Sequence, residues 1–87
     1  MSNGGFVGCI VISKYGHDKG SLYVIVNNAD DKIALVSNGE NRPLAAPKRK
    51  NIRHLTVTRY RTAATSDIEI KRAIENFRKE GEAKSFE

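Results

Sequence analysis

The chain has one cysteine, no tryptophan and two prolines in 87 residues. No apolar run approaches the ~20 residues that a membrane-spanning helix needs. One cysteine excludes an internal disulfide, and the lack of a second excludes a zinc knuckle. Cys9 lies within Val7-Gly8-Cys9-Ile10-Val11-Ile12, which points to a buried, inert thiol in a reducing compartment. The two histidines, His17 and His54, are too few and too separated to suggest a metal site. The opening residues Met1-Ser2-Asn3-Gly4-Gly5 carry no Lys or Arg and precede only a short apolar stretch. No signal peptide is expected, and the cytoplasm is the expected location.

Catalytic patterns are missing too. No nucleophile sits beside a recognisable base, and no glycine loop of the P-loop or dinucleotide type is present. Asp30-Asp31 adjoins Lys32 in a polar stretch, where solvated surface carboxylates are expected. A single domain of this length buries only about two thirds of the surface that its unfolded chain exposes, leaving little room for a deep cleft and a shell to support it. Neither an enzyme nor a cofactor is expected.

The most informative absence is of acid in one segment. Residues 1–41 hold three Lys/Arg against four Asp/Glu, and residues 67–87 hold five against six. Residues 42–66 hold seven against none, so the whole excess of the +5 net charge lies there. Charge spread evenly serves solubility, whereas charge concentrated in this way creates a local potential that attracts polyanions.

Hydrophobic periodicity divides the chain in two. Phe6 to Lys14 is rich in Val and Ile and reads as a first strand, apolar on both faces and therefore central. Tyr15-Gly16-His17-Asp18-Lys19-Gly20 reads as a turn, with glycines available for positive φ. Ser21 to Asn27 gives a second strand with Leu22, Val24 and Val26 on one face, and Lys32 to Ser37 a third. Asn38-Gly39 is a type I′ hairpin signal, to be followed by a brief fourth strand around Arg42 to Leu44. Pro47 to Arg53 reads as a basic loop and His54 to Arg59 as the last strand. About five short strands in some fifty residues suggest a small closed or nearly closed barrel. Beyond it, Ser66-Asp67-Ile68-Glu69 is a capping box, and Ile70, Ala73, Ile74 and Phe77 form one helical stripe. Gly81 is the expected stop. The division is thus a barrel over 1–61, then a linker and C-terminal α-helix over 62–87. That helix is expected to pack on the barrel.

The stretch from Lys14 through Gly16-His17-Asp18-Lys19-Gly20 into Leu22–Val26 resembles the KOW motif, a basic turn closed by a glycine between two hydrophobic strands. With Val36-Ser37-Asn38-Gly39, Pro47-Lys48-Arg49-Lys50 and His54-Leu55-Thr56, residues 6–60 resemble bacterial KOW-domain RNA-binding proteins. These are similar to the KOW-type large-subunit ribosomal proteins of archaea and eukaryotes. The resemblance implies a mainly β, SH3-like barrel and binding of structured RNA, ribosomal RNA above all, on or near the large ribosomal subunit. Other ribosomal proteins would be neighbours of a chain that is monomeric when free.

The residue types suit that chemistry. Lys48, Arg49, Lys50 and Arg53 supply cations for phosphates, and Lys14, His17 and Lys19 form a smaller group in the first turn. Release of condensed counterions would drive their binding. Lys14 and Lys19 could equally be strand-end charges that serve solubility. Tyr15 is expected to cap the barrel core more readily than to stack on a base, and Tyr23 and Tyr60 to lie in the core or at its rim. The rival reading is a protein-interaction module of a transcription or translation factor. Its binding would respond little to salt, whereas an RNA binder's would fall steeply.

Overall fold

A computed structural model describes residues 6–63 and 65–84, with side chains up to Glu80. Five strands form one antiparallel sheet: β1 (Cys9–Ser13), β2 (Leu22–Asn28), β3 (Ile33–Ser37), β4 (Lys48–Asn51) and β5 (Leu55–Arg61). Their order is β4-β3-β2-β1-β5, so the first four strands form a meander and the last returns to pair with the first. A 3₁₀ turn, Ile52–His54, joins β4 to β5, and α1 (Asp67–Lys84) follows. No described helix is long and apolar enough to cross a membrane.

Strand alternation divides the apolar residues between two faces. On one face Val11, Tyr23, Ile25, Ala34, Val36 and Leu55 pack together, with Ile52 and Val57 beside them. On the other, Ile10 and Val24 meet Ile70 and Ile74 of α1, flanked by Leu22, Val26, Leu44, Tyr60 and Phe77. Both faces of β1 and β2 are therefore covered, as their doubly apolar sequences require. Cys9 is buried and free of any disulfide among the described residues.

The helix docks on the sheet through the expected stripe. Ile70 is fully buried, and the Phe77 ring meets that of Tyr60 edge-on at 4.8 Å. Its start is secured locally. Ser66 Oγ accepts the Glu69 N–H (3.2 Å), while the Glu69 carboxylate accepts the Thr65 N–H (2.8 Å). Asp67 Oδ1 also accepts the Leu44 N–H at 2.7 Å, tying the first helical turn to the β3–β4 connection. Gly39 lies under the same turn with φ +77°, and a Cβ there would collide with the Asp67 carbonyl.

Four expectations are corrected. Asn38-Gly39 is not a two-residue hairpin: Asn38 has no positive φ, and its Oδ1 accepts the Glu40 and Arg42 N–H groups to shape a longer connection. Arg42 to Leu44 is not a strand. The fourth strand lies at Lys48–Asn51, inside the segment read as a basic loop, because its backbone pairs with β3 from Ile33↔Asn51 to Val36↔Lys48. The helix runs through Gly81 to Lys84. Residues 1–5 and 85–87, parts of the N-terminal and tail readings, lie outside the described residues.

Candidate nucleic-acid interface

The β1–β2 turn is built by its own backbone. Gly20 N–H donates to Ser13 O (2.8 Å), Ser21 N–H to Asp18 O (2.8 Å) and Lys19 N–H to Gly16 O (3.2 Å). Gly16 and Gly20, both at φ +91°, give the turn its two left-handed backbone positions within five residues. The reversal leaves Lys14, Tyr15, His17 and Lys19 exposed and turns Asp18 inward.

Asp18 is the centre of the site. Its Oδ1 accepts from Ser13 Oγ (3.0 Å) and Lys50 Nζ (3.1 Å), and its Oδ2 from Tyr23 OH (2.8 Å) and Lys48 Nζ (3.0 Å). The Asp18 side chain is 15% exposed, that of Lys50 11% and that of Lys48 29%. Desolvation on its own would raise the Asp18 pKa, but donation from Lys48, Tyr23, Lys50 and Ser13 outweighs it and holds the carboxyl far below the usual carboxylate range. Burial, together with the bond to that carboxylate, pushes the Tyr23 phenol up to about 12.

The register explains why Lys48 and Lys50 reach this acid and Arg49 does not. Lys48 and Lys50 lie opposite Val36 and Ala34, whose side chains belong to the enclosed face, whereas Arg49 lies opposite Leu35. The Lys48-Arg49-Lys50 triplet is thereby split: two cations turn in to Asp18, and one stays exposed towards the β2–β3 turn, where its charge acts on Asp30. The triplet does not form one uncompensated patch, as its acid-free sequence neighbourhood suggests. The compensating acid comes from 30 residues upstream.

The structure does bring the first turn to the basic segment. Besides the two ion pairs, Lys14 N–H donates to His54 O (2.8 Å), and the Tyr15 and His54 rings meet at 5.1 Å and 75°. Asn51 Oδ1 accepts the Arg53 N–H (2.9 Å), which closes the 3₁₀ turn beside them. Tyr15, Asn51, Arg53 and His54 line one shallow open cleft. Tyr15 is 58% exposed and does not cap the core; Tyr23 is buried and Tyr60 packs on Phe77, in keeping with core and rim positions. Across residues 14–20 and 48–54, Asp18 is the single acid against Lys14, Lys19, Lys48, Arg49, Lys50 and Arg53.

Sequence reasoning missed Asp18 and set Tyr15 against the core, where the structure leaves it exposed. Asp18 looked like any turn aspartate, and only the pairing of β4 with β3 reveals that two lysines face it. No three His, Cys, Asp or Glu residues among those described cluster as metal ligands. The chain matches no family model and no curated protein.

Proposed function

We propose that this chain is an RNA-binding module of the KOW class, which grips structured RNA, ribosomal RNA above all, through the corner where the β1–β2 turn meets the 3₁₀ turn. The observation that carries the reading is that Arg53 shares one cleft with the exposed Tyr15–His54 pair, while the exposed Lys14 and Lys19 lie in the turn that supplies Tyr15. Cations that neutralise phosphates, set beside an exposed aromatic, are what a nucleic-acid surface requires. Lys48 and Lys50 contribute positive potential from behind but are committed to Asp18. Arg49 stands on the other face of β4 and would touch only an RNA that wraps the edge strand. His17 adds a further donor in the first turn.

A closed SH3-like barrel belongs to the same reading. The sheet's two outer strands, β4 and β5, are joined by only the three residues Ile52–His54. A link that short keeps their joined ends within about 14 Å, which supports closure at that corner.

The test is charge reversal at Lys14, Lys19 and Arg53 together. The variant should fold, since all three residues are exposed. It should bind a stem-loop RNA more weakly, with a log K against log[salt] slope shallower by about 2 to 3. Unchanged affinity and slope would refute the reading. Binding that hardly responds to salt in the wild type would favour the protein-interaction alternative. Reversing Lys48 and Lys50 is the wrong test, because it would set carboxylates against Asp18 and unfold the site.

A further inference from the structure

We infer, on the strength of that RNA-binding reading, that the cleft lined by Tyr15, Asn51, Arg53 and His54 receives one unpaired nucleobase, so that the module prefers RNA with a loop or bulge to a plain duplex.

The geometry of the two rings carries the inference. Tyr15 and His54 stand at 75° with centroids 5.1 Å apart. In such an edge-to-face pair one ring loses a single face to its partner's edge, and the other ring keeps both. The pairing itself thus covers only one of the four faces, and Tyr15 is 58% exposed beside the cleft. The pair is also held in place: His54 leads from the 3₁₀ turn into β5, and its carbonyl accepts the Lys14 N–H next to Tyr15. A preset aromatic loses little conformational freedom when a base stacks on it. Tyr15 is the most exposed tyrosine or phenylalanine among the described residues, and Tyr23 and Tyr60 are taken up by the core and by Phe77.

The polar lining suits the edge and backbone of a nucleotide. Asn51 Oδ1 is occupied by the Arg53 N–H, which leaves its Nδ2 as a donor. The Arg53 guanidinium, exposed in the same cleft, can bond a phosphate bidentately or stack. Every base offers a carbonyl or ring-nitrogen acceptor to such donors, so the site is expected to tolerate sequence. A duplex keeps its bases stacked and paired and cannot fill the cleft, whereas single-stranded loops present bases that stack on aromatic side chains. A proline-rich peptide would need a groove lined by several aromatics, and here an exposed tyrosine is joined only by a histidine, in a chain without tryptophan.

The experiment compares a hairpin RNA carrying an unpaired loop with a blunt duplex of the same stem, against wild type, Tyr15→Ala and Tyr15→Phe. Thermal melts check that each variant is folded. Wild type should prefer the hairpin, and Tyr15→Ala should bind it about five- to hundredfold more weakly while losing much less affinity for the duplex, so that the preference disappears. Tyr15→Phe should retain the preference. The ring protons of Tyr15 should move upfield in NMR spectra on adding hairpin but not duplex. Equal binding of both RNAs by wild type, or a Tyr15→Ala variant that keeps the preference, overturns the inference and leaves the RNA-binding reading standing. Failure of wild type to bind either RNA, or capture of a proline-rich peptide in their place, overturns both.

Discussion

Replacing Asp18 by Asn removes one negative charge from a point where two ammonium groups, a phenol and a hydroxyl converge within 3.1 Å. The amide retains the shape and can still accept from Tyr23 or Ser13, so the loss falls mainly on Lys48 and Lys50. An exposed pair would lose about 0–1 kcal/mol, while breaking a fully buried one costs about 3–5 kcal/mol. The exposures, 29% for Lys48 and 11% for Lys50, place these pairs between the two limits. Lys48 can swing towards water; Lys50 has less room to do so. We expect Asp18→Asn to destabilise the domain by about 2–4 kcal/mol, a large share of the ~4–13 kcal/mol that a chain of this length holds. Urea unfolding should show a lower midpoint with an unchanged slope.

The acid dependence follows from the lowered Asp18 pKa. Below the ordinary aspartate value of about 4, the unfolded chain takes up a proton that the native state refuses. Stability therefore falls as pH drops from there towards the native pKa. Asp18→Asn should flatten this limb, so that the gap between variant and wild type narrows on acidification. At the alkaline end Tyr23, raised to about 12, contributes stability that is complete below about 10 and lost as pH climbs to its native value. That limb should move down in the variant, which lacks the carboxylate. A neutral-pH difference below about 0.5 kcal/mol, within the range of an ordinary surface substitution, would show that the four-donor site does not hold the turn and would refute the reasoning.

Gly39→Ala should cost more than Gly20→Ala in the same urea assay. Both glycines have positive φ, worth about 1–2 kcal/mol of strain, but a Cβ at Gly20 meets open space whereas at Gly39 it meets the Asp67 backbone and lies 3.1 Å from Lys71 N; equal losses would mean that α1 does not rest on this loop. Combining Asp18→Asn with Lys48→Met and Lys50→Met should recover at least half of the single-variant loss, because removing a whole buried ionic group is far less damaging than removing one partner. The same triple variant should self-associate in sedimentation, and a monomeric one would refute a protective role for the lysines.

Strands with apolar alternation were legible in the sequence, and so was the helix. Leu22, Val24 and Val26 fall on one face as their spacing requires, and Ile70, Ile74 and Phe77 meet them from α1. β4 was not legible, because Lys48-Arg49-Lys50-Asn51 has no apolar residue to mark an inward face. Its pairing is set by a partner strand more than ten residues away, and local pattern carries little of such non-local information. The cations were legible as charge, but their disposition depends on which side of a strand each occupies, and a loop reading assigns no sides.

Asp18 links the two failures. An edge strand invites pairing with another chain, and lysines that point inward are one recognised protection against it. β4 is the outer strand of the described sheet, paired among the described residues with β3. Closure against β5 is supported only at the corner of the 3₁₀ turn, which leaves the rest of β4 as such an edge. Its inward lysines can be buried only if an acid meets them, and the β1–β2 turn delivers that acid. The glycines that reverse this turn thus serve two ends: they carry Asp18 in and leave Lys14, Tyr15 and Lys19 out. On the proposed reading, folding and recognition draw on different cations, with Lys48 and Lys50 committed to Asp18. The number of Lys and Arg residues overstates the uncompensated positive surface by those that the fold itself consumes. What remains outside includes Arg53 beside an exposed aromatic pair, and on the proposed reading that pairing would give the module a preference for RNA shape that charge alone could not supply.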